Sequence, residues 1–366
     1  MDKAQRMEGE AGVGSGVPSD GVAGGPVRIG LVGAGYWGRN VARNLLDVLD
    51  AELLWVCDVD EMAAAGLVGR RSEVRVTSEL EKMLDDDEIE AVAVVTPPRT
   101  HLEIGLACLR AGKHVLMEKP LATSAADGRR LLETAKEMDR TLMCDHTFCY
   151  TPHVRRIRDL MHGGELGELQ YIDSTRVNLG LVQSDIDVFW DLAPHDLSIL
   201  DFILPPGLVP VQISAHAADP IRAGQACVGH LTMPLSNGAL AHVHVNWLSP
   251  TKIRQMVIAG SRRMVVWNDL IPGRRLTLFD SGIDITEAEG DERARRMVAY
   301  RLGDSVTPAI PESEALRAVV IEFVTAVRTG RPPLTDGSAG LRVLQTLEAA
   351  SLSRKSNGAL VNLDLA

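Results

Sequence analysis

Only fourteen of the 366 residues are Phe, Trp or Tyr, and acidic residues outnumber basic ones by 49 to 38. So few aromatics leave no extended surface on which bases could stack. The net charge of −11 argues against a nucleic-acid partner. No apolar run approaches the roughly 18 residues needed to cross a bilayer. Cysteine is sparse. Cys57, Cys108, Cys144, Cys149 and Cys227 are odd in number and include no C-x-x-C pair, so they read as reduced cytosolic thiols in or near the core. A cytoplasmic protein is expected. His146 and His153 lie near Cys144 and Cys149, but without a metal-ligand spacing, and no metal is expected. His242-Val243-His244 puts two imidazoles on one strand face, which reads as a polar sheet face. No internal repeat is present. Residues 1–25, rich in Gly, Ser and charge and without an apolar h-region, read as a disordered tail and not as a signal peptide.

What is present is enough apolar content, 45%, for a large core and two domains. From residue 26 to about 147, apolar runs at 27–33, 52–58, 91–96, 114–118 and 141–145 alternate with helical patterns. That rhythm predicts an α/β domain with a doubly wound parallel sheet. The acidic run 85–88 reads as a solvated loop. In residues 148–366 a helix at 152–161 and a strand at 168–177 precede a helix over Asp191–Ile203. Strands then follow one another at 209–217, 226–233, 239–247, 252–259, 262–268 and 274–280, with a hairpin at Ser236-Asn237-Gly238. This predicts an α+β domain with an open, mostly antiparallel sheet and its helices on one face. Helices at 312–329 and 338–353 and a short strand at 359–365 close the chain.

The most informative stretch is Gly33-Ala34-Gly35-Tyr36-Trp37-Gly38, between the apolar run 27–32 and a helical pattern at Val41, Leu45, Leu46 and Leu49. A further apolar run, 53–57, ends on Asp58. Strand, glycines, helix, strand and acid in that order form a dinucleotide-binding fingerprint. Gly33 allows the tight turn, Gly35 admits the pyrophosphate, and Gly38 lets helix and strand pack closely. The helix N-terminus faces the phosphate charge. Asp58 accepts hydrogen bonds from the adenosine ribose and repels a 2′-phosphate, which favours NAD over NADP.

Three further pieces fall where chemistry is expected. Thr96-Pro97-Pro98 follows an apolar strand; in such sheets ligands sit beyond the carboxyl ends of strands, so this turn either walls a nicotinamide channel or simply ends the strand. His101 either caps the next helix or touches the cofactor. Glu118-Lys119-Pro120 ends another apolar strand and projects Lys119 into the same crevice, where a desolvated lysine beside a cationic nicotinamide can take part in proton transfer. Asp191 and His195 lie one turn apart on one helix face, near the N-terminus where Pro194 fits. They read either as an oriented base or as an N-cap aspartate and a core histidine.

With these pieces in place, the chain resembles the glucose–fructose oxidoreductase/inositol dehydrogenase/rhizopine-catabolism family of dehydrogenases from about Val27 to its end. The resemblance rests on Gly33–Gly38, on Ala111–Pro120, on the Asp191-x-x-x-His195 pair and on Gly330-Arg331-Pro332-Pro333-Leu334-Thr335-Asp336-Gly337. It implies an NAD- or NADP-binding Rossmann domain and a second domain whose open sheet forms the oligomer contact, in a homodimer or homotetramer. It also implies that Lys119 polarises the reacting hydroxyl or exchanges its proton, that His195 is the general acid/base, and that Asp191 orients it. Tyr36, Trp37, Thr96, Pro97, His101, Glu118 and Lys119 join the glycines and Asp58 as expected cofactor contacts. Lys119, Asp191, His195, Arg176 and Asn178 are expected substrate contacts, the Arg176–Asn178 pair being equally readable as surface.

Phe189–Asp196 looks like a bacterial group associated with sugar and nucleotide-sugar modification; Ala193-Pro194 departs from the small residues of many relatives and weakens a plain inositol dehydrogenase assignment. The expected activity is NAD-dependent oxidation of a ring hydroxyl of a sugar, one linked to a nucleotide. The alternatives are an inositol or free-sugar dehydrogenase, a ketosugar reductase running in reverse, or a non-catalytic nucleotide-binding sensor.

Overall fold

The structure, a computed structural model, describes residues 25–71, 73–184, 186–286 and 297–365. Nearly all of the expected N-terminal tail lies outside the described residues.

Apolar runs without alternation build the first sheet, as strands covered on both faces require. Its strands are β1 (Val27–Val32), β2 (Ala51–Cys57), β3 (Arg75–Thr77), β4 (Ala91–Val94), β5 (His114–Glu118) and β6 (Leu142–Asp145). The helices between them are α1 (Tyr36–Asp47), α2 (Glu61–Val68), α3 (Leu80–Leu84), α4 (His101–Arg110) and α5 (Ala125–Glu137). The spatial order is β3-β2-β1-β4-β5-β6, with every pair parallel. This is the dinucleotide-binding arrangement, and its strand order reverses between β1 and β4. Strand β3 is absent from the expected pattern because three residues carry no period. The acidic run is only partly solvated, since Asp86 accepts the Trp55 indole N–H at 2.7 Å and pairs with Arg75 at 2.5 Å.

Beyond residue 150 come α6 (Pro152–His162), β7 (Leu169–Leu179) and α7 (Val188–Ile203), then β8 (Gln212–Ala218), β9 (Val228–Pro234), β10 (Leu240–Asn246), β11 (Leu248–Gly260), β12 (Met264–Asn268) and β13 (Leu276–Phe279). A hairpin of β14 (Gly282–Thr286) and β15 (Met297–Arg301), the short β16 (Ser305–Val306), helices α8 (Ala315–Thr329) and α9 (Gly337–Lys355), and β17 (Val361–Asn362) complete it. The large sheet runs β16-β13-β12-β11-β7-β10-β9-β8-β17. It is antiparallel except where β7, inserted between β10 and β11, runs parallel to β10. The expected hairpin joins β9 to β10, with Gly238 at φ +86°.

Helices α6, α7 and α9 pack on one face of that sheet, burying Ile157, Phe189, Ile199 and Leu347 against Ile213, Leu231, Val245 and Met256. Alternate residues facing away, among them Tyr171, Leu240 and Val266, stay partly exposed. On that face the His230 and His244 rings stack with centroids 4.2 Å apart.

Two features go beyond the expected pattern. The first is packing shared across the division at residue 147/148. Helix α8 returns to the first sheet, where Leu316, Val319, Val320 and Phe323 share one core with Val27, Ile29 and Leu45. The ion pairs Arg43–Glu314, Arg317–Asp47 and Arg328–Glu90 flank it. The second is the start of α7, which comes one turn before Asp191. Asp187 is the N-cap, accepting hydrogen bonds from the Phe189 and Trp190 amides at 3.1 and 3.2 Å. Pro194 therefore falls inside the helix and not in its first turn. Asp187→Ala should destabilise the protein by about 1–2 kcal/mol, the usual worth of such a cap. Urea unfolding checks this, and an unchanged midpoint would contradict it.

Candidate active site

The glycine loop after β1 is shaped by close approach. Gly33 has φ +107°, and a Cβ there would lie 2.9 Å from the Val95 carbonyl carbon. A Cβ on Gly38 would meet the Gly33 oxygen at 2.1 Å, whereas one on Gly35 would meet nothing within 4 Å. The loop is thus tight against the sheet and open at Gly35, where α1 begins with no side-chain cap on its first amides. These are the features a dinucleotide pyrophosphate needs. Asp58 accepts from the Ala34 amide at 2.6 Å and the Asp60 amide at 2.8 Å, which fixes its carboxylate at the end of β2. Each oxygen retains a lone pair for a ribose hydroxyl. The residues present fit NAD. Tyr36 and Trp37 stand exposed at the start of α1, in edge contact with each other.

The loops after β4 and β5 form the next part of the same edge. His101 was expected to cap a helix or touch the cofactor, and its ring lies between two backbone carbonyls. It is fully buried, with Nε2 2.8 Å from the Thr96 carbonyl oxygen and Nδ1 2.9 Å from that of Pro120. Burial lowers the His101 pKa, so the neutral ring donates to one of these carbonyls at a time and sits between the two loops. Thr96 also receives the Thr100 hydroxyl at 2.8 Å, and Pro97 leads into a short 3-10 turn, Pro98–Thr100. The Lys119–Pro120 peptide is cis.

Lys119 and Asp191 meet across the two sheets. The Lys119 ammonium donates to the Asp191 carbonyl at 3.0 Å and lies 3.7 Å from its carboxylate Oδ1. The other carboxylate oxygen accepts the Trp247 indole N–H at 3.0 Å. Asp191, Trp247, Asn178 and Gly180 line a cavity of about 410 Å³. Asp191 therefore holds Lys119. The expected Asp191–His195 hydrogen bond is absent among the described residues, and His195 Nδ1 has no partner. His195 instead packs edge-on against Phe148, at 5.1 Å between centroids. A larger hollow of about 750 Å³, near Gly167, Pro206 and Asn237, lies at the other end of β7.

Buried charges surround this edge. Burial, reinforced by the cations Lys119, Arg176 and Arg254, holds the His195 pKa well below its ordinary value, so the ring is a neutral base. Glu118, expected to meet the cofactor, faces Asp145, its register partner on β6. Burial raises both carboxyls, Asp145 to about 6 and Glu118 well above the carboxylate range, and the Asp145 charge raises Glu118 further. Arg176, expected at the substrate, is buried beneath the Phe148 ring, with Nε 2.6 Å from Asp196. Asp196 also accepts the Ser174 hydroxyl at 2.7 Å, while Arg176 Nη1 has no partner among the described residues. Asn178 stays at the cavity.

Trp247, Asp145, His146 and Phe148 were missed in the sequence as site residues. Asp145 and His146 had a usable signal, since they end β6 at the same sheet edge as Lys119. The late motif proves to be a fastener. Arg331 forks onto Glu322 at 2.8 Å, Thr335 donates to the Cys144 carbonyl at 2.7 Å, and Asp336 caps α9. All five cysteines are buried and free. No helix among the described residues is long and apolar enough to cross a membrane.

Two family models match: an oxidoreductase family with an NAD-binding Rossmann fold over residues 27–146, and a GFO/IDH/MocA C-terminal domain over residues 154–266. The chain is 27% identical over 330 residues to the UDP-N-acetylglucosamine 3-dehydrogenase of Acidithiobacillus ferrooxidans, covering 87% of this chain and 94% of that one. It is 32% identical to the dTDP-3,4-didehydro-2,6-dideoxy-alpha-D-glucose 3-reductase of Saccharopolyspora spinosa, again over 87% and 94%. The solved structure of GenD2 from gentamicin A biosynthesis in complex with NAD superposes with a TM-score of 0.78 at 25% identity, over 95% of this chain and 99% of that one. Fold, glycine loop and full-length similarity agree: the chain belongs to the GFO/IDH/MocA family of NAD-binding oxidoreductases.

Proposed function

We propose that the protein is an NAD-dependent dehydrogenase that oxidises a ring hydroxyl of a nucleotide-linked sugar. The observation that carries this reading is the Lys119 ammonium, held by Asp191 at the sheet edge beside the neutral imidazole of His195. Bound NAD supplies the hydride acceptor. Lys119, kept in place by the Asp191 carbonyl and carboxylate, stabilises negative charge developing on the substrate oxygen. His195 takes the hydroxyl proton. Two relatives named for nucleotide-linked sugars support the substrate class. One of those names is a 3-reductase, which favours a second reading, the same chemistry run toward the alcohol. Screening nucleotide sugars, free sugars and inositols for NADH formation tests the assignment, and turnover of inositols alone would replace it.

The cofactor preference follows from Asp58, whose carboxylate, fixed by two amides, repels a 2′-phosphate. kcat/KM should be higher with NAD than with NADP, and Asp58→Ser should narrow the gap; equal values in the unaltered protein would contradict this.

Lys119→Met and His195→Ala should each lower kcat by about 10²–10⁴, the usual contribution of a positioned acid or base, with NAD affinity little changed. A base whose pKa is depressed stays unprotonated in acid. kcat/KM for oxidation should therefore persist as pH falls through 6.5, the ordinary histidine value, and decline only well below it. Near-full turnover by both variants would show that the proton is handled elsewhere.

Assembly is proposed through the sheet face that α6, α7 and α9 leave uncovered. Its partly exposed Tyr171, Leu240 and Val266 suit a homodimer or homotetramer. Light scattering at micromolar concentration should give a multiple of the 39.6 kDa chain mass, and the single mass would count against it.

A further inference from the structure

His146 is a buried titratable group at this edge that the chemistry above leaves unused. Its imidazole is 2% exposed, and neither ring nitrogen has a hydrogen-bond partner among the described residues. Unpaired buried polar atoms oppose folding, so each calls for a reason. Two further orphans at this edge are His195 Nδ1 and Arg176 Nη1. His146 opens the 3-10 turn Thr147–Tyr150, and that turn lies against α7. Phe148 meets the His195 ring, and Cys149 Sγ donates to the Ser198 carbonyl at 3.4 Å. Lys119 acts electrostatically on both imidazoles, and His146 acts on His195. Asp191, the expected orienting group, is committed to Lys119 and Trp247.

We propose that His146 is the positioning residue for the base, linked to His195 Nδ1 through one bound water. The water accepts the Nδ1 proton of His195 and donates to a ring nitrogen of His146. This link fixes the His195 tautomer that presents an unprotonated Nε2 to the substrate hydroxyl. The inference rests on the dehydrogenase reading of Lys119 and His195.

A neutral partner differs in kind from a carboxylate, because it orients the ring without stabilising its charged form. The charges facing the two rings sharpen that difference. Lys119 beyond β5, Arg176 on β7, Arg254 on β11 and Arg342 on α9 are cations. Burial with Lys119 and Arg342 takes His146 itself down to about 3, so it acts as a hydrogen-bonding group and not as an ion.

The test has one arm that needs no substrate. Ring ¹⁵N shifts of histidine-labelled protein, assigned with His146→Phe and His195→Phe, should show Nδ1-protonated His195 in the unaltered protein. In His146→Phe that preference should be lost. In the kinetic arm, His146→Phe should lower kcat by about 10–100-fold, as loss of a partner that orients a histidine does. His146→Asn, which can still bond the water, should stay close to the unaltered kcat. His146→Asp, a carboxylate, should move the acid limb of kcat/KM up by about one pH unit or more. Unchanged His195 shifts in folded His146→Phe, or in His146→Asp if the first fails to fold, would overturn the proposal. So would an unchanged kcat and pH profile across the series. Absence of turnover on every sugar and inositol by the unaltered protein would instead remove the dehydrogenase reading, while the shifts still decide the pairing.

Discussion

The site depends on one cation held between two sheets. Lys119 leaves the carboxyl end of β5, and Asp191 grips it from α7, which belongs to the other layer of the molecule. Parallel strands must end at one edge, and that edge carries the glycine loop, Thr96, Lys119 and Asp145 together. Nothing in the second sheet is bound by that rule. Its contribution arrives only because Asp187 starts α7 where it does and Trp247 fixes the Asp191 carboxylate.

Charge is then sorted by depth. At the surface of the crevice, Asp58 and Lys119 keep accessible polar atoms. Beneath them, Arg176 and Asp196 form a buried pair, and the Glu118 and Asp145 carboxyls face each other near the Lys119 ammonium. Buried pairs of this kind add little net stability compared with apolar packing of the same volume. They fix the field at the site. Burial, with the cations around it, keeps His195 neutral.

The fingerprint at Gly33–Gly38 and Asp58 was legible because each residue answers a steric or electrostatic need set by its own strand and helix. Glu118-Lys119-Pro120 was legible because the doubly wound sheet says which strand ends face the ligand. What escaped was long-range. Asp191 and His195 stand at helical spacing, which shows that they share a face, not that Trp247, 56 residues further on, claims the carboxylate. His101 and Arg176 looked available because polarity alone does not reveal a buried partner, here the Thr96 and Pro120 carbonyls and Asp196. The amphipathic pattern of α8 was clear, but no period says which of two sheets its apolar stripe will cover.

That last point bears on how the chain comes to its final form during synthesis. The face of the first sheet completed by Val319, Val320 and Phe323 emerges early, and the helix that covers it is made well over a hundred residues later. Domains made first commonly settle first. Here the nucleotide-binding half leaves the ribosome with an apolar face open until α8 arrives. A chain stalled within the second sheet would present that face to chaperones and to its neighbours.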